Sequence, residues 1–214
     1  MNAPSFKNPG RFITLEGGEG AGKSTQIQVV KNYLLNLGND VVVTREPGGT
    51  SEGQEIRNLL LSGDKDKWSP LSETLLILAD RAAHLEHVIR PALADGKYVV
   101  CDRFFDSTRA YQGVAGGLGL DVIHSLQQPV LGKTLPDVTL LLDIDPEKGL
   151  RRAHERGGEL RFESKTLAYH RTLRNAFLDF AAQEPERIFV IDADRDVEAV
   201  SANILAILDE RLNV

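Results

Sequence analysis

The sequence has little of what exported, membrane-spanning or polymer-binding proteins need. It contains one cysteine, Cys101, in 214 residues, which excludes an intrachain disulfide and a cysteine-based zinc site. No apolar run approaches the ~20 residues of a membrane span. Lys and Arg number 25 against 31 Asp and Glu, a net charge of −6, and this argues against a general nucleic-acid surface. These absences favour a cytoplasmic protein that binds neither membranes nor nucleic acid polymers.

The chain length favours a single domain after a short tail. MNAPSFKNPG has one Phe among polar, Pro and Gly positions, so it cannot be the apolar core of a secretory signal. The 214 residues suffice for one sizeable core but not for two α/β domains. We therefore expect a loose tail over 1–10 and one domain over 11–214.

Runs rich in Val, Ile and Leu alternate with helical patterns. The predicted strands are 11–16, 40–45, 97–102, 138–144 and 187–192. Their near-continuous apolar content is typical of strands covered by helices on both faces. The sequence therefore predicts an α/β fold, a doubly wound five-stranded parallel sheet with helices on both faces and ligands at the carboxyl ends of the strands. Within the helical pattern of 71–95, Pro91 predicts a bend or a new turn.

A phosphate-binding motif follows the first predicted strand. GGEGAGKS fits G-x-x-x-x-G-K-[ST], with Gly17, Gly22, Lys23 and Ser24 at the defining positions. Glycines let backbone N–H groups turn around an anion, and the following helix adds the positive end of its dipole. We expect Lys23 to reach the β- and γ-phosphates of a nucleotide and the Ser24 hydroxyl to bind Mg²⁺.

The phosphate loop alone leaves NTPase, GTPase and nucleotide kinase open. The chain has no N-K-x-D motif of the kind that GTPases use to read guanine. Asp143, which ends the apolar run LLLD, is a candidate metal ligand of a motor or transporter ATPase, but 214 residues leave little room for coupled machinery. A small kinase fits best.

Later motifs resemble one family of kinases. TREPGGT (44–50), DRF (102–104), STRAYQG (107–113) and RRAHERGGELR (151–161) are similar in order and spacing to those of bacterial thymidylate kinases, over about 11–214. The resemblance implies a homodimer that transfers the γ-phosphoryl group of ATP, with Mg²⁺, to dTMP. The ATP-binding residues it implies are Gly17, Gly18, Glu19, Gly20, Ala21, Gly22, Lys23, Ser24 and Thr25, with Arg152 and Arg161 from the basic stretch.

The resemblance also implies residues for the acceptor phosphate and the metal. Arg103 offers a planar fork suited to a phosphate, and the family pattern has it bind the dTMP phosphate while Asp102 helps to arrange it and the metal. Arg45 and Arg57 match arginines near the monophosphate. Two alternatives stay open: Arg57 as an exposed helix arginine, and Arg45 as a salt-bridge partner of its neighbour Glu46.

The remaining substrate contacts are implied by resemblance alone. Arg81, Thr108 and Gln112 match positions that contact thymine, and Tyr111 matches a tyrosine that crowds the sugar 2′ position. Glu19 matches an acidic residue that accepts a hydrogen bond from the 3′-hydroxyl. Where family members often place an aromatic residue that stacks on thymine, this chain has Ile77 and Leu78.

The basic stretch predicts a lid over about 151–162. Gly157 and Gly158 give it a hinge, and its candidate phosphate ligands are Arg152, Arg156 and Arg161, of which we favour Arg156 as catalytic. The alternative is a solvated helix face. Two other functions also stay open: a kinase for another nucleoside monophosphate or a deoxynucleoside, and a non-catalytic ATP-binding regulator.

Overall fold

All five predicted strands are present and form one parallel sheet. The computed structural model describes residues 10–64, 66–155, 157 and 160–212. The strands are β1 (Phe12–Glu16), β2 (Val41–Arg45), β3 (Tyr98–Asp102), β4 (Val138–Asp143) and β5 (Ile188–Asp192), in the spatial order β2-β3-β1-β4-β5. This confirms the predicted fold class. Of the predicted tail, residues 1–9 lie outside the described residues.

Helices connect successive strands. They are α1 (Lys23–Asn36), α2 (Ser51–Leu61), α3 (Pro70–His84), α4 (Arg90–Ala94), α5 (Phe105–Thr108), α6 (Leu120–Leu131), α7 (Pro146–Glu155), α8 (Leu160–Glu163), α9 (Leu167–Gln183) and α10 (Val197–Leu212). Two π-helical segments, Leu85–Ile89 and Arg109–Ala115, follow α3 and α5 directly. No helix of the described ranges combines the length and apolarity needed to cross a bilayer.

The sheet is covered on both faces, as its continuous apolar strands predict. Ile13 and Leu15 of β1 pack in one cluster with α1 and α10, whereas Phe12 packs in another with Leu85 and Ile89. Successive side chains of a strand point to opposite faces, so β1 is buried along its whole length. A third cluster joins Leu141 of β4 to α9.

Pro91 lies where the sequence predicts a break in the helical pattern. It occupies the first turn of α4, directly after the π-helical segment Leu85–Ile89. Proline has no N–H to donate and its ring crowds the preceding turn. The π-helical turn and the new helix that starts at Arg90 are the local change that the proline predicts.

Glycines allow α7 to contact the backbone of the phosphate loop. A Cβ atom at Gly20 would lie 1.9 Å from the carbonyl oxygen of Gly149, and one at Gly149 would lie 2.4 Å from that of Glu19. Both contacts are to backbone, which cannot rotate away as a side chain does. The start of α7, from which the predicted lid continues, thus packs directly on the phosphate loop.

We predict that Gly149→Ala destabilises the protein, although alanine favours a helix, because the added methyl group meets backbone rather than space. Overpacking of this kind costs about 1–3 kcal/mol, so thermal unfolding should shift down by several degrees. Gly18→Ala is the matched control, since a Cβ there has no neighbour within 4 Å. Equal melting temperatures for the two variants would contradict the contact.

Candidate active site

The carboxyl ends of β1, β2 and β3 open onto a cavity of about 380 Å³. It brings together residues that the sequence predicts from six separate segments. The predicted residues that line it are Glu19, Gly20, Ala21, Gly22, Lys23, Ser24, Arg45, Arg57, Arg81, Asp102, Arg103, Thr108, Tyr111 and Gln112. One cavity thus holds the phosphate loop and the implied acceptor residues.

The phosphate loop has the backbone that its glycines predict. Gly17, Gly20 and Gly22 have φ angles of 135°, 69° and 93°, values that L side chains rarely adopt. Gly22 caps α1 without a side-chain hydrogen bond, so no side chain covers the first N–H groups of the helix. The loop therefore presents backbone donors and a helix dipole to an anion.

Lys23 is folded back over this loop. Its Nζ donates to the carbonyl oxygens of Gly17 at 3.1 Å and Gly18 at 2.9 Å. Burial, together with the positive charge of Arg103, lowers the pKa of Lys23 from 10.5 to about 8. A bound phosphate would supply the negative charge that these carbonyls only partly replace.

Arg103 joins the end of β3 to the phosphate loop. It has a φ angle of 64°, a left-handed conformation that costs a non-glycine residue roughly 1–2 kcal/mol. Its Nη1 donates to the carbonyl oxygen of Gly17 at 2.8 Å and its Nη2 to Glu19 at 3.1 Å. The strained backbone is thus held by contacts that place the guanidinium inside the cavity.

Glu19 is engaged by its neighbours within the cavity. Its Oε1 accepts from the Tyr111 hydroxyl at 2.7 Å as well as from Arg103. Burial alone would raise the pKa of Glu19, but the charges of Arg103 and Lys23 and the Tyr111 hydrogen bond lower it to about 2. The carboxylate is therefore ionised at neutral pH and balances Arg103.

Asp102 brings one buried oxygen to the cavity wall. It lines the same cavity as Ser24, and its buried Oδ1 has no hydrogen-bond partner among the described residues. A buried polar atom without a partner is costly. An oxygen of this kind fits a hard cation such as Mg²⁺, which binds through one or two carboxylates plus substrate phosphates. In the described part of the chain, no three His, Cys, Asp or Glu side chains form a metal cage.

The far end of the cavity is built by α3 and the segment that includes α5. Arg81 is 1% exposed; its Nε donates to Glu46 at 2.7 Å and its Nη2 to Thr108 at 3.0 Å. The remaining nitrogen, Nη1, is buried and finds no partner in the described ranges. Gln112 is 2% exposed and donates through Nε2 to Glu73 at 3.1 Å. A donor of Arg81 is thus available to a ligand.

The open alternative for Arg45 is wrong. Glu46 pairs with Arg81 and with His84 Nδ1, at 2.9 Å, rather than with Arg45. Arg45 is exposed and donates to Gln54 at 2.9 Å. Neighbouring residues at the end of a strand point to opposite sides, which separates the two side chains.

Arg57 is not the exposed helix arginine that the open alternative describes. It is half-buried, lines the cavity, and donates through Nη1 to the carbonyl oxygen of Pro47 at 2.9 Å. Its predicted place near an acceptor phosphate agrees with this position.

Comparisons with known proteins decide the family. The sequence profile of the thymidylate kinase family matches residues 15–204. The chain belongs to the thymidylate kinase family. It is 53% identical over 205 residues to a thymidylate kinase of Caulobacter vibrioides, covering 96% of this chain and 99% of that protein. A thymidylate kinase of Magnetococcus marinus is also 53% identical, over 91% of this chain and 93% of that protein.

The fold agrees with a solved thymidylate kinase. The crystal structure of the enzyme from Ehrlichia chaffeensis superposes with a TM-score of 0.78 at 32% identity, covering 94% of this chain and 100% of that one. The predicted family and the predicted class, a P-loop nucleoside monophosphate kinase, are confirmed.

Asp143, the candidate metal ligand of the ATPase interpretation, forms an ion pair with Arg174. Its Oδ1 accepts from Arg174 Nε and its Oδ2 from Nη2, each at 2.7 Å. A bidentate pair of this kind is among the stronger ion pairs. In this thymidylate kinase fold, Asp102 of β3 and not Asp143 of β4 faces the main cavity.

The predicted lid arginines are placed differently from one another. Arg156 and Gly158 lie outside the described residues. Arg152 donates to the carbonyl oxygen of Ala193 at 3.0 Å and lies 3.8 Å from Asp194. Arg161 is 3% exposed and contacts Glu73 and, at 2.8 Å, the carbonyl oxygen of Leu60. Phosphate binding by these arginines stays a prediction.

Sequence reasoning missed Glu16, which supports the turn that carries Arg103. Glu16 is fully buried and accepts from the backbone N–H groups of Phe104 at 2.8 Å and Ser107 at 3.3 Å. It thereby holds the turn that begins at Arg103. Burial and the charge of Asp106 raise the pKa of Glu16 from 4.5 to about 7. A charged residue that ends an otherwise apolar strand was the available signal.

Because the pKa of Glu16 is raised, we predict that the free energy of unfolding falls as pH rises from about 4.5 to about 7. The folded protein keeps the Glu16 proton to a higher pH than the unfolded chain, whose carboxyl pKa is near 4.5. Where the folded state binds more protons, the free energy of unfolding falls as pH rises. Denaturant unfolding across this window should show a smaller fall in Glu16→Gln than in wild type. Identical pH profiles would contradict the raised pKa.

Proposed function

We propose that this cavity transfers the γ-phosphoryl group of ATP to dTMP, giving dTDP and ADP, as the family assignment implies. The observation that carries the proposal is the joining of Arg103 to the phosphate loop. The guanidinium donates to Gly17 and Glu19 while it faces the cavity. Donor and acceptor phosphates would therefore be held by one connected unit.

Phosphoryl transfer asks the protein for position and charge rather than for a nucleophile. The loop 17–25 and Lys23 would bind the ATP phosphates, and Arg103, Arg57 and Arg45 the acceptor phosphate. Ser24 and Asp102 would hold Mg²⁺, which when bound neutralises charge on the phosphates. The orphaned oxygen of Asp102 and the position of Ser24 in the same cavity support this assignment.

The base would lie at the α3 end of the cavity. Arg81 Nη1 is a buried donor suited to the thymine O4 acceptor. Ile77, 9% exposed and on the cavity wall, would cover one face of the ring by dispersion. Thr108 and Gln112 complete the polar contacts, Tyr111 would face the sugar, and Glu19 the 3′-hydroxyl.

Beyond this site, we propose lid roles for Arg152, Arg156 and Arg161, with Arg156 contacting the transferred group. We also propose a cytoplasmic homodimer. Leu59, Leu71 and Leu75 of α2 and α3 are 44–51% exposed, and such apolar surface supports association.

The decisive experiment is a coupled ADP assay with dTMP, dUMP, dCMP, dGMP and AMP side by side. We predict turnover that depends on an acceptor and is fastest with dTMP. Lys23→Ala should lower dTDP formation below about a tenth of wild type with an unchanged circular dichroism spectrum, since Lys23 supplies charge to the phosphates. Lys31→Ala, on the same helix, is the control. ATP binding without acceptor-dependent ADP formation would favour the regulator instead.

Glu19→Gln tests the sugar contact. The change keeps the shape but removes the negative charge that faces Arg103, and it replaces one of the two acceptor oxygens, the proposed partners of the 3′-hydroxyl, with an NH₂ donor. We expect a higher KM for dTMP with a smaller change in the KM for ATP. Removal of the hydroxyl, in 3′-deoxy-dTMP, should then cost wild type more than the variant. Equal losses would show that Glu19 does not contact it.

A further inference from the structure

We propose that Glu73 is a positioning residue that decides which end of the Gln112 amide faces the acceptor base, and so favours thymine over cytosine. The inference rests on the proposed function, because it concerns the base of the acceptor. Glu73 itself stands behind the cavity wall and acts through Gln112.

Glu73 lies on the same face of α3 as two residues of the base end. It precedes Ile77 by one helical turn and Arg81 by two. It is 8% exposed, and its Oε2 accepts from Gln112 Nε2 at 3.1 Å. Its Oε1 accepts from Arg161 Nη2. Both carboxylate oxygens therefore accept a hydrogen bond, one from Gln112 in the cavity wall and one from Arg161 of α8.

The chemistry of these partners fixes the orientation of the amide. An ionised carboxylate accepts hydrogen bonds and donates none, whereas an amide has a donor end and an acceptor end that a half-turn exchanges. The Arg161 guanidinium carries donors only, so the Glu73 oxygen that faces it acts as an acceptor, like the one that faces Gln112. Gln112 must then turn its NH₂ group toward Glu73, and its carbonyl oxygen is the end left for the cavity.

The two pyrimidines differ at the atom that such an oxygen would meet. Thymine carries a hydrogen on N3, which an amide oxygen accepts, while cytosine N3 is an acceptor itself. Cytosine also places an amino donor where thymine has O4, opposite the donor of Arg81. A flipped Gln112 would present its NH₂ group to N3, so the requirement for a hydrogen on N3 would be lost. Glu73 prevents that flip.

The packing gives the arrangement its rigidity. Gln112 is 2% exposed and Arg161 3%, so water competes little for either contact. Buried hydrogen bonds are stronger and an unpaired partner is costly. A reversed amide would set its oxygen against the Glu73 carboxylate, acceptor against acceptor. Recognition of the base thus depends on a carboxylate that does not contact it.

The test compares kcat/KM for dTMP and dCMP in Glu73→Gln. An amide at position 73 can donate as well as accept, so it no longer dictates the orientation of Gln112. The dTMP to dCMP ratio should fall by about tenfold or more, chiefly through a higher KM for dTMP. Glu86→Gln, the same change at an exposed position close by, should leave the ratio as in wild type.

A double-mutant cycle separates this role from general support of the fold. In a Gln112→Leu background there is no amide to orient, so Glu73→Gln should no longer change the ratio. The proposal is wrong if Glu73→Gln lowers the ratio equally in both backgrounds. It is also wrong if the single variant lowers kcat/KM equally for dTMP and dCMP. Glu73→Asp keeps an acceptor-only group and should retain the preference; its loss there would also overturn the proposal, even if Glu73→Gln does not fold.

A separate measurement, the turnover of each acceptor by the wild-type protein, tests the proposed function. Wild type must first turn over dTMP in preference to the other acceptors. If it does and the ratio in Glu73→Gln is unmoved, Glu73 has no positioning role while the kinase activity stands. Failure of wild type on dTMP would instead reject the proposed function.

Discussion

The hydrogen bonds of Arg103 are the constraint on which the rest of the site depends. Parallel pairing sets Leu15 of β1 beside Asp102 of β3, so the phosphate loop and the turn after β3 leave the sheet next to each other. Arg103 donates from its backbone to Leu15 at 2.9 Å and from its guanidinium to Gly17. The donor and acceptor sides of the cavity are therefore linked through both main chain and side chain. In-line transfer requires this kind of fixed separation between reacting groups.

Two cations of the cavity are paired with carboxylates. Arg103 pairs with Glu19 and Arg81 with Glu46, while Lys23 contacts only carbonyl oxygens in its described hydrogen bonds. Substrate phosphates thus need not meet a cluster of uncompensated charge, which would destabilise the fold. Burial and the charge of Arg103 lower the pKa of Lys23, and the negative charge of a phosphate bound beside it would oppose that shift.

What the sequence predicts well is what local pattern encodes. Strands covered on both faces show as continuous apolar runs, and the phosphate loop shows as fixed glycine spacing. Each predicted strand end lies within one residue of the observed end. The carboxylates that orient the arginines were missed because tertiary packing alone supplies their partners. Glu46 meets Arg81 across 35 positions and Glu73 meets Arg161 across 88. Sequence proximity even misled, since Arg45 and Glu46 are neighbours that do not pair.

Aliphatic side chains at positions 77 and 78 give these carboxylates more weight. Ile77 covers the base end of the cavity between Glu73 and Arg81, and an aliphatic side chain attracts a ring without fixing its angle as an aromatic does. In the proposed function, Arg81 and Gln112 orient the base through polar contacts at its edge, and such contacts are directional only while the rotamers of the two side chains are held. Glu46 forms an ion pair with Arg81, and Glu73 accepts a hydrogen bond from Gln112. Carboxylates one layer behind the cavity wall would therefore supply part of the orientation that an aromatic ring supplies by stacking.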